Sequence, residues 1–445
     1  MTIIAYDIAL IIFALHRIGG IVMASFLKFT RNYRNIINGS KVVIVNRDTG
    51  MWMRISKECF DILEEAVLKE CGKEELLQSF QDAEDREYFE KLIDNAEGLG
   101  VLSDKEEDSK RLETVYLILT NRCNLKCKHC CVSAESISNT ISNNEIDTIA
   151  FKKVIDKVTA SNPDRIIVSG GEPMIRKDFM EIMQYLRHQY HGKIDLSTNA
   201  TLINDTNVKD IVKNVDRMDI SIDGVDEKSC SIVRGKGVFE KVISAIKLLK
   251  EENFNEIFLS MVIGDFNEGL QERFEELNQE LGTQSVIRAF VPIGRGKENK
   301  EIFVDSRKSN RTEFEYTNEE IKTARKGMVG IRCGAGVTDL TVNYDGYVYP
   351  CANLLNACYS LFNILEIDSL SNFINERIET CAGYKMLESI QPENYEKCKE
   401  CKVNLFCWTC LQDIEILKGN DEKFESNCKM KRDILYPIIW GEEVD

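Results

Sequence analysis

Asn121-Arg122-Cys123-Asn124-Leu125-Lys126-Cys127-Lys128-His129-Cys130 is the stretch on which the reading of this chain turns. It sets three thiols at spacings of three and two intervening residues, directly after the apolar run 114–119. Three cysteines in one loop suit a four-iron cluster that keeps one iron free for a small chelating molecule. A zinc loop or purely structural thiols are the competing readings of the loop alone.

Outward from this loop, short apolar runs alternate with amphipathic helices over residues 113–296, the pattern of a parallel sheet with crossover helices. Six strands are expected, at 114–119, 165–168, 193–197, 218–222, 256–262 and 285–291, and six repeats imply a partial barrel. Ser142 and Glu145 read as a capping box ahead of the helical stripe Ile146, Ile149, Val154, Ile155, Val158. Chemistry in such folds gathers at the carboxyl ends of the strands.

The polar groups follow that rule. Ser169-Gly170-Gly171-Glu172-Pro173 follows the second strand, where glycines let backbone approach a ligand and where carbonyls and Glu172 accept hydrogen bonds from an ammonium group. Ser197-Thr198-Asn199 closes the third strand and Ser221-Ile222-Asp223-Gly224 the fourth. Val291-Pro292-Ile293-Gly294-Arg295-Gly296 follows the sixth. Asn and Asp end many strands for turn reasons alone, so the weight lies in their common placement on one rim.

Residues 113–296 resemble the radical S-adenosylmethionine (radical SAM) family, which has a C-x3-C-x2-C loop at this place. The resemblance implies that Cys123, Cys127 and Cys130 hold a 4Fe-4S cluster whose open iron takes the amino and carboxylate groups of S-adenosylmethionine. His129 stands where the family usually has an aromatic residue. By the same resemblance Gly170, Gly171, Glu172 and Pro173 bind the methionyl amine. Ser197, Asn199, Ser221 and Asp223 would meet ribose and carboxylate, Arg234 would add a carboxylate contact, and the loop beginning at Val291 would lie on the adenine side.

Sixteen cysteines exceed ordinary usage, and without a convincing secretory signal metal ligation is a better reading than a disulfide framework. Nine of them follow position 332. Cys333, then Gly346 and Cys351, precede Cys398, Cys401, Cys407, Cys410 and Cys428, which resembles the SPASM extension of radical SAM enzymes. That resemblance implies one auxiliary 4Fe-4S cluster on Cys398, Cys401, Cys407 and Cys428, and a second on Cys333, Cys351 and Cys410. The hairpin 341–350 around Asp345-Gly346 is expected to bring the first two cysteines together. Only Trp408 and Thr409 separate Cys407 from Cys410, one residue fewer than the family spacing, which weakens the assignment of Cys410. The second cluster has no evident fourth ligand: Cys358, or an open site for a substrate thiolate, would complete it. Zinc sites are the competing reading of the tail, while Cys59, Cys71 and Cys230 read as small buried hydrophobes.

Ahead of the barrel, 42–46 and 51–55 read as strands around the turn Arg47-Asp48-Thr49-Gly50, with helices beyond: one capped by Ser56, another carrying Tyr88, Phe89, Leu92, Ile93 and Ala96. This order resembles a RiPP recognition element, a winged-helix-like unit that binds the leader of a ribosomally made precursor peptide as an added strand; a structural cap on the barrel is the alternative. The apolar stretch 3–27 is interrupted by Asp7, His16 and Arg17, so no stable membrane anchor is expected, and Met23 offers an alternative start. A formal charge of -16 disfavours nucleic acid as a partner.

The expectation is therefore an α/β protein: a segment 1–40, a recognition domain 41–104, a partial (β/α)6 radical SAM barrel 113–296, a linker 297–332 and a cysteine-rich SPASM domain 333–432. The resemblances imply a cytoplasmic oxidoreductase whose 5'-deoxyadenosyl radical modifies a precursor peptide, with a flavodoxin- or ferredoxin-like electron donor. A thioether crosslink from cysteine is the expected product. Sulfatase-maturase-like chemistry, carbon-carbon bond formation and, as another class, a zinc-stabilised peptide-binding protein are the rivals.

Overall fold

The computed structural model describes residues 25–105, 111–136, 144–303, 318–408 and 410–441. Its first unit is an antiparallel sheet, β1 (Tyr33–Asn38), β2 (Lys41–Asn46) and β3 (Trp52–Ser56), in that order. The β2–β3 turn is held by Asn46, whose Oδ1 accepts from the amides of Asp48 and Thr49, and Gly50 supplies φ +69°. Helices α1 (Lys57–Leu68), α2 (Lys73–Ser79) and α3 (Ala83–Gly98) follow, α1 capped by the Ser56 side chain accepting from the Cys59 amide. One face of the sheet, through Val42, Ile44 and Ile55, packs on Phe60, Leu63, Phe89, Ile93 and their neighbours. The sheet begins at Tyr33, ahead of the expected start of the unit at 41.

The opposite face of that sheet is covered by the tail. Ile36, Val43 and Val45 pack with Val403, Leu405, Phe406, Ile439 and Trp440, and Trp52 meets Phe406 edge-on at 5.2 Å. Arg47 and Arg34 both reach Glu393, at 3.0 and 2.6 Å.

The barrel comprises β4 (Thr114–Ile118), α4 (Thr148–Ala160), β5 (Arg165–Ser169), α5 (Phe179–Gln189), β6 (Lys193–Thr198), α6 (Val208–Asn214), β7 (Arg217–Ser221), α7 (Glu227–Arg234), α8 (Val238–Glu251), β8 (Ile257–Ile263), α9 (Gln271–Leu281) and β9 (Gln284–Ala289). All six expected strands form, and β4 to β9 run parallel to one another. Val115, Leu117, Ile166, Val168, Ile194 and Leu196 are fully buried and share one core with Phe151, Val154 and Ile155 of α4. Each such side chain contributes about 1.5–3 kcal/mol on burial. Alternation sends Tyr116, Ile167, Asp195 and Asp219 to the luminal face.

The tail adds β10 (Asp339–Val342), β11 (Tyr347–Tyr349) and β12 (Phe362–Asn363), giving a nine-stranded sheet in the order β9-β8-β7-β6-β5-β4-β10-β11-β12. The expected hairpin is present, with Gly346 at φ +83°, but its first strand also pairs in parallel with β4, Thr341 opposite Tyr116. Cys351 lies two residues beyond the end of β11, whose Tyr349 is opposite Thr341, so this cysteine sits at the amino-terminal end of the barrel strands.

The capping box before α4 is a correction. The cap is Asp147, accepting from the Ala150 amide at 2.8 Å; Ser142 lies outside the described residues, and Glu145 pairs with Arg122 instead. The segment expected as a linker holds a helix, Asn318–Gly327, whose Arg325 donates to the Ile438 carbonyl. Among the described residues no helix is long and apolar enough to cross a membrane; most of the apolar stretch 3–27 lies outside them.

Candidate active site

The cysteine loop leaves the carboxyl end of β4 and is tied down from several directions. Arg122 and Cys123 form a short parallel pairing with Glu135 and Ser136. Arg122 is held by Glu145 at 2.9 Å, a largely buried pair. Asn124 Oδ1 accepts from Asn199 Nδ2 at 2.8 Å, and Asn124 Nδ2 donates to Thr201 at 2.8 Å. Cys123 and Cys127 are buried and Cys130 half-buried, and the three lie within electrostatic reach of one another.

The sulfurs are surrounded by donors. Cys123 Sγ accepts from the Leu125 amide at 3.3 Å and from Asn199 Nδ2 at 3.8 Å; Cys130 Sγ accepts from the Ala134 amide at 3.4 Å; Arg234 Nη1 lies 3.8 Å from Cys127 Sγ. Burial pushes the Cys123 thiol up to about 11, the Leu125 amide pulling against it and Glu172, Cys127 and Cys130 adding to it. Burial also raises Cys127, against the opposing charge of Arg234. Crowded buried thiols of this kind ionise readily only when a multivalent cation shares the space.

The expected cofactor contacts divide into two groups. Glu172 is fully buried, its carboxylate accepting from the Met174 amide (3.2 Å), Thr198 Oγ1 (2.8 Å) and the Asn199 amide (2.8 Å). Burial raises its pKa more than these hydrogen bonds lower it. Through these bonds it locks the β5 loop to the end of β6. Asn199 spends its side chain on Asn124, Thr201 and Cys123. Asp223 is buried between His129 Nε2 (2.9 Å), Arg234 Nε (2.6 Å) and the Val262 amide (2.6 Å). Burial favours its neutral form, but the Arg234 charge and then His129 outweigh that and hold it well below the usual carboxylate range.

The second group stays open. Gly170 and Gly171 lie flat against the cysteine loop: the Gly171 amide donates to the Thr120 carbonyl, and a Cβ on Gly171 would collide with the Arg122 carbonyl. Pro173 starts the short turn Pro173–Ile175 beyond them. Ser197 and Ser221 are half-buried at the ends of β6 and β7, and Val291 half-buried after β9. His129 Nδ1 is buried with no partner among the described residues, while its ring lies 6.0 Å from Phe303, which stacks on Phe290 at 4.2 Å. An orphaned nitrogen, a glycine cradle and donor-ringed thiols suit a polar cofactor chelated to a cluster.

Arg295, quoted within the loop after the sixth strand, has a role that sequence reasoning missed. Its amide donates to the Cys130 carbonyl (3.0 Å), Nε to the Cys127 carbonyl (3.1 Å) and Nη1 to the Ala134 carbonyl (2.6 Å), so it straps the loop from across the barrel. Gly294 before it has φ +52°, and a Cβ there would collide with the carbonyls of Cys130 and Cys131.

In the tail, Cys398, Cys401, Cys407 and Cys428 line one cavity with Trp408 and Arg432. Burial pushes Cys398 up to about 11, the Trp408 hydrogen bond opposing it, and Cys407 up to about 12. Cys333, Cys351 and Cys410 form a separate neighbourhood, each within electrostatic reach of the others, despite the shortened spacing before Cys410. Asn353 Nδ2 reaches Cys410 Sγ at 3.7 Å. Cys358 is exposed, whereas Cys59, Cys71 and Cys230 are buried as expected. Among the described residues no three His, Cys, Asp or Glu side chains close on a single-ion site.

Comparison with known proteins follows the same division. The radical SAM superfamily model matches residues 117–277, and the SPASM iron-sulfur cluster-binding domain matches 333–402. The mycofactocin maturase MftC of Mycolicibacterium smegmatis is 26% identical over 270 residues, covering 57% of this chain and 68% of its own. A probable GTP 3',8-cyclase of Saccharolobus solfataricus is 28% identical over 187 residues, 42% of this chain and 59% of the cyclase, so the chain spans less than two thirds of that relative. Among solved structures, Streptococcus suis SuiB bound to precursor peptide SuiA superposes with TM-score 0.51 at 14% identity, covering 88% of this chain and 97% of SuiB. AnSMEcpe with bound AdoMet gives 0.51 at 18%, covering 74% and 98%; both likenesses are of fold. The chain thus carries a radical SAM domain and, behind its barrel, a SPASM iron-sulfur domain, with iron-sulfur clusters and S-adenosylmethionine as the cofactors.

Proposed function

We propose that this enzyme modifies a ribosomally made precursor peptide, forming a thioether between a cysteine sulfur and a carbon of the same peptide. The observation that carries the reading is the small amino-terminal sheet, which ends in two edge strands and is clamped to the cysteine-rich tail by Arg34, Arg47 and Trp52. An edge strand captures an extended peptide through backbone hydrogen bonds. Exposed Tyr88 of α3 lies beside Cys59 at the foot of α1, next to the end of β3, and offers an apolar flank.

Cys123, Cys127 and Cys130 would hold the 4Fe-4S cluster, which with S-adenosylmethionine would supply hydrogen-abstracting radical chemistry. The residues around it position and exclude: Glu172, Asn199 and Asp223 hold the rim, and Arg295 holds the loop. In the overall change one C–H and one S–H become C–S, one hydrogen atom leaving on 5'-deoxyadenosine, one proton to solvent and one electron to a tail cluster. A flavodoxin- or ferredoxin-like protein provides the initiating electron. Two auxiliary clusters, on Cys398, Cys401, Cys407 and Cys428 and on Cys333, Cys351 and Cys410, agree with the two cysteine neighbourhoods.

The likeness to a mycofactocin maturase supports a maturase reaction without naming the bond, and the second reading is carbon-carbon bond formation within the peptide. The test is anaerobic turnover with a short cysteine-containing peptide encoded beside this chain. A product lighter by two hydrogens whose cysteine resists alkylation supports the thioether. The same mass loss with a freely alkylated cysteine supports the second reading, and 5'-deoxyadenosine without peptide modification sinks both.

A further inference from the structure

Between Cys333 and β10 the chain makes a tight turn: the amides of Val337, Thr338 and Asp339 all donate to the Gly334 carbonyl, and the Gly336 amide donates to the Asp339 carbonyl. The turn folds the Asp339 side chain back onto the residue after Cys333. Its Cγ and Oδ2 lie 2.9 Å from where a Gly334 Cβ would stand, so only glycine admits this approach. The carboxylate has no hydrogen bond or ion pair among the described residues. The same Gly336 amide donates to the Pro350 carbonyl at 2.9 Å, which brings Asp339 beside the residue preceding Cys351; Cys333 lies within electrostatic reach of Asp339 and Cys410, and Cys351 within reach of both cysteines. Resting on the reading that this domain holds iron-sulfur clusters, we infer that Asp339 is the fourth ligand of the cluster held by Cys333, Cys351 and Cys410.

Chemistry and placement agree. A half-buried carboxylate without a cation is unfavourable, and the cluster iron left without a thiolate is a cation short of one anionic donor. Cys358, the sequence candidate, is exposed, whereas Cys333 and Cys351 pack against the buried tail core of Ile331, Tyr349 and Leu354. An oxygen donor on an otherwise sulfur-bound iron is also the more exchangeable kind, since thiolates are the preferred ligands of such clusters.

The experiment uses the full chain with Cys123, Cys127 and Cys130 replaced by alanine, so that only tail clusters contribute. Iron and sulfide content, electron paramagnetic resonance of the reduced protein and a redox titration are recorded for this parent and for Asp339→Cys, Asp339→Ala and the near-isosteric Asp339→Asn. Asp339→Cys is expected to move one of two midpoint potentials to more negative values. Asp339→Ala is expected to change one signal, and to change it again when 2-mercaptoethanol is added. The signal of the Cys398 set stays constant throughout and reports folding. Unaltered line shapes and potentials in all three variants would overturn the ligand assignment alone. A parent lacking labile sulfide would overturn the cluster reading of the tail and the inference with it.

Discussion

His129 Nε2 lies 2.9 Å from Asp223 Oδ2, so the cysteine loop is fastened to the end of the fourth barrel strand through a carboxylate that also neutralises Arg234 at 2.6 Å. Asp223→Asn would leave the Arg234 charge buried without its partner, which costs about 3–5 kcal/mol. The expected outcome is a protein that unfolds at markedly lower urea concentration and makes little 5'-deoxyadenosine. His129→Asn, which leaves the Asp223–Arg234 pair intact, should cost far less stability. Equal urea midpoints for the two variants would contradict this account.

Gly294→Ala tests the strap over the loop. The added methyl meets the carbonyls of Cys130 and Cys131 at a backbone φ of +52°, where an L side chain is also strained. The loop must shift, and with it the three thiols. Iron analysis should show the loss of one cluster's iron while the tail signals persist; retention of all iron would mean that the strap is dispensable.

Glu172→Gln exchanges a carboxylate that accepts from Met174, Thr198 and Asn199 for a group with one acceptor oxygen. One buried donor is left unsatisfied, at about 1–3 kcal/mol. Because Glu172 positions the β5 loop and does not ligate the cluster, S-adenosylmethionine affinity should fall roughly ten-fold or more, as 1.4 kcal/mol corresponds to a factor of ten. Cluster content should not change. Equilibrium binding to reconstituted protein measures the first quantity and iron analysis the second.

Tyr88→Asp places a charge on the exposed flank of the small sheet without touching the barrel. Peptide affinity should drop while cofactor cleavage in the absence of peptide stays at the parent rate. An unchanged affinity would remove the amino-terminal unit from substrate recognition. Deleting that unit is a poorer experiment, because it would expose Phe406, Leu405 and Trp440 of the tail.

The barrel was legible because its strands are short apolar runs with helical stripes between them, and the cofactor rim because its polar residues close those runs. Three features were not. The parallel pairing of β10 with β4 joins segments far apart in sequence, and alternation in either strand names a face without naming a neighbour. Arg295 looks like a loop residue after glycine, and its acceptors are backbone carbonyls lying 161 and 168 positions away. Glu145 fits a capping pattern as well as an ion pair, and only the position of Arg122 decides between them. For Glu172 the type and place were readable, but the direction of its carboxylate depends on the end of β6.

Sharing one hydrogen-bonded ladder, β4 and β10 leave no hinge between the barrel and the strand that bears Asp339 and leads to Cys351. The interval between the barrel strand that leads into the cysteine loop and the first tail cysteines is thereby fixed like the rungs of a ladder, whatever the rim loops do. Under the proposed reaction, reshaping those loops would redirect it to another carbon while that interval stayed the same.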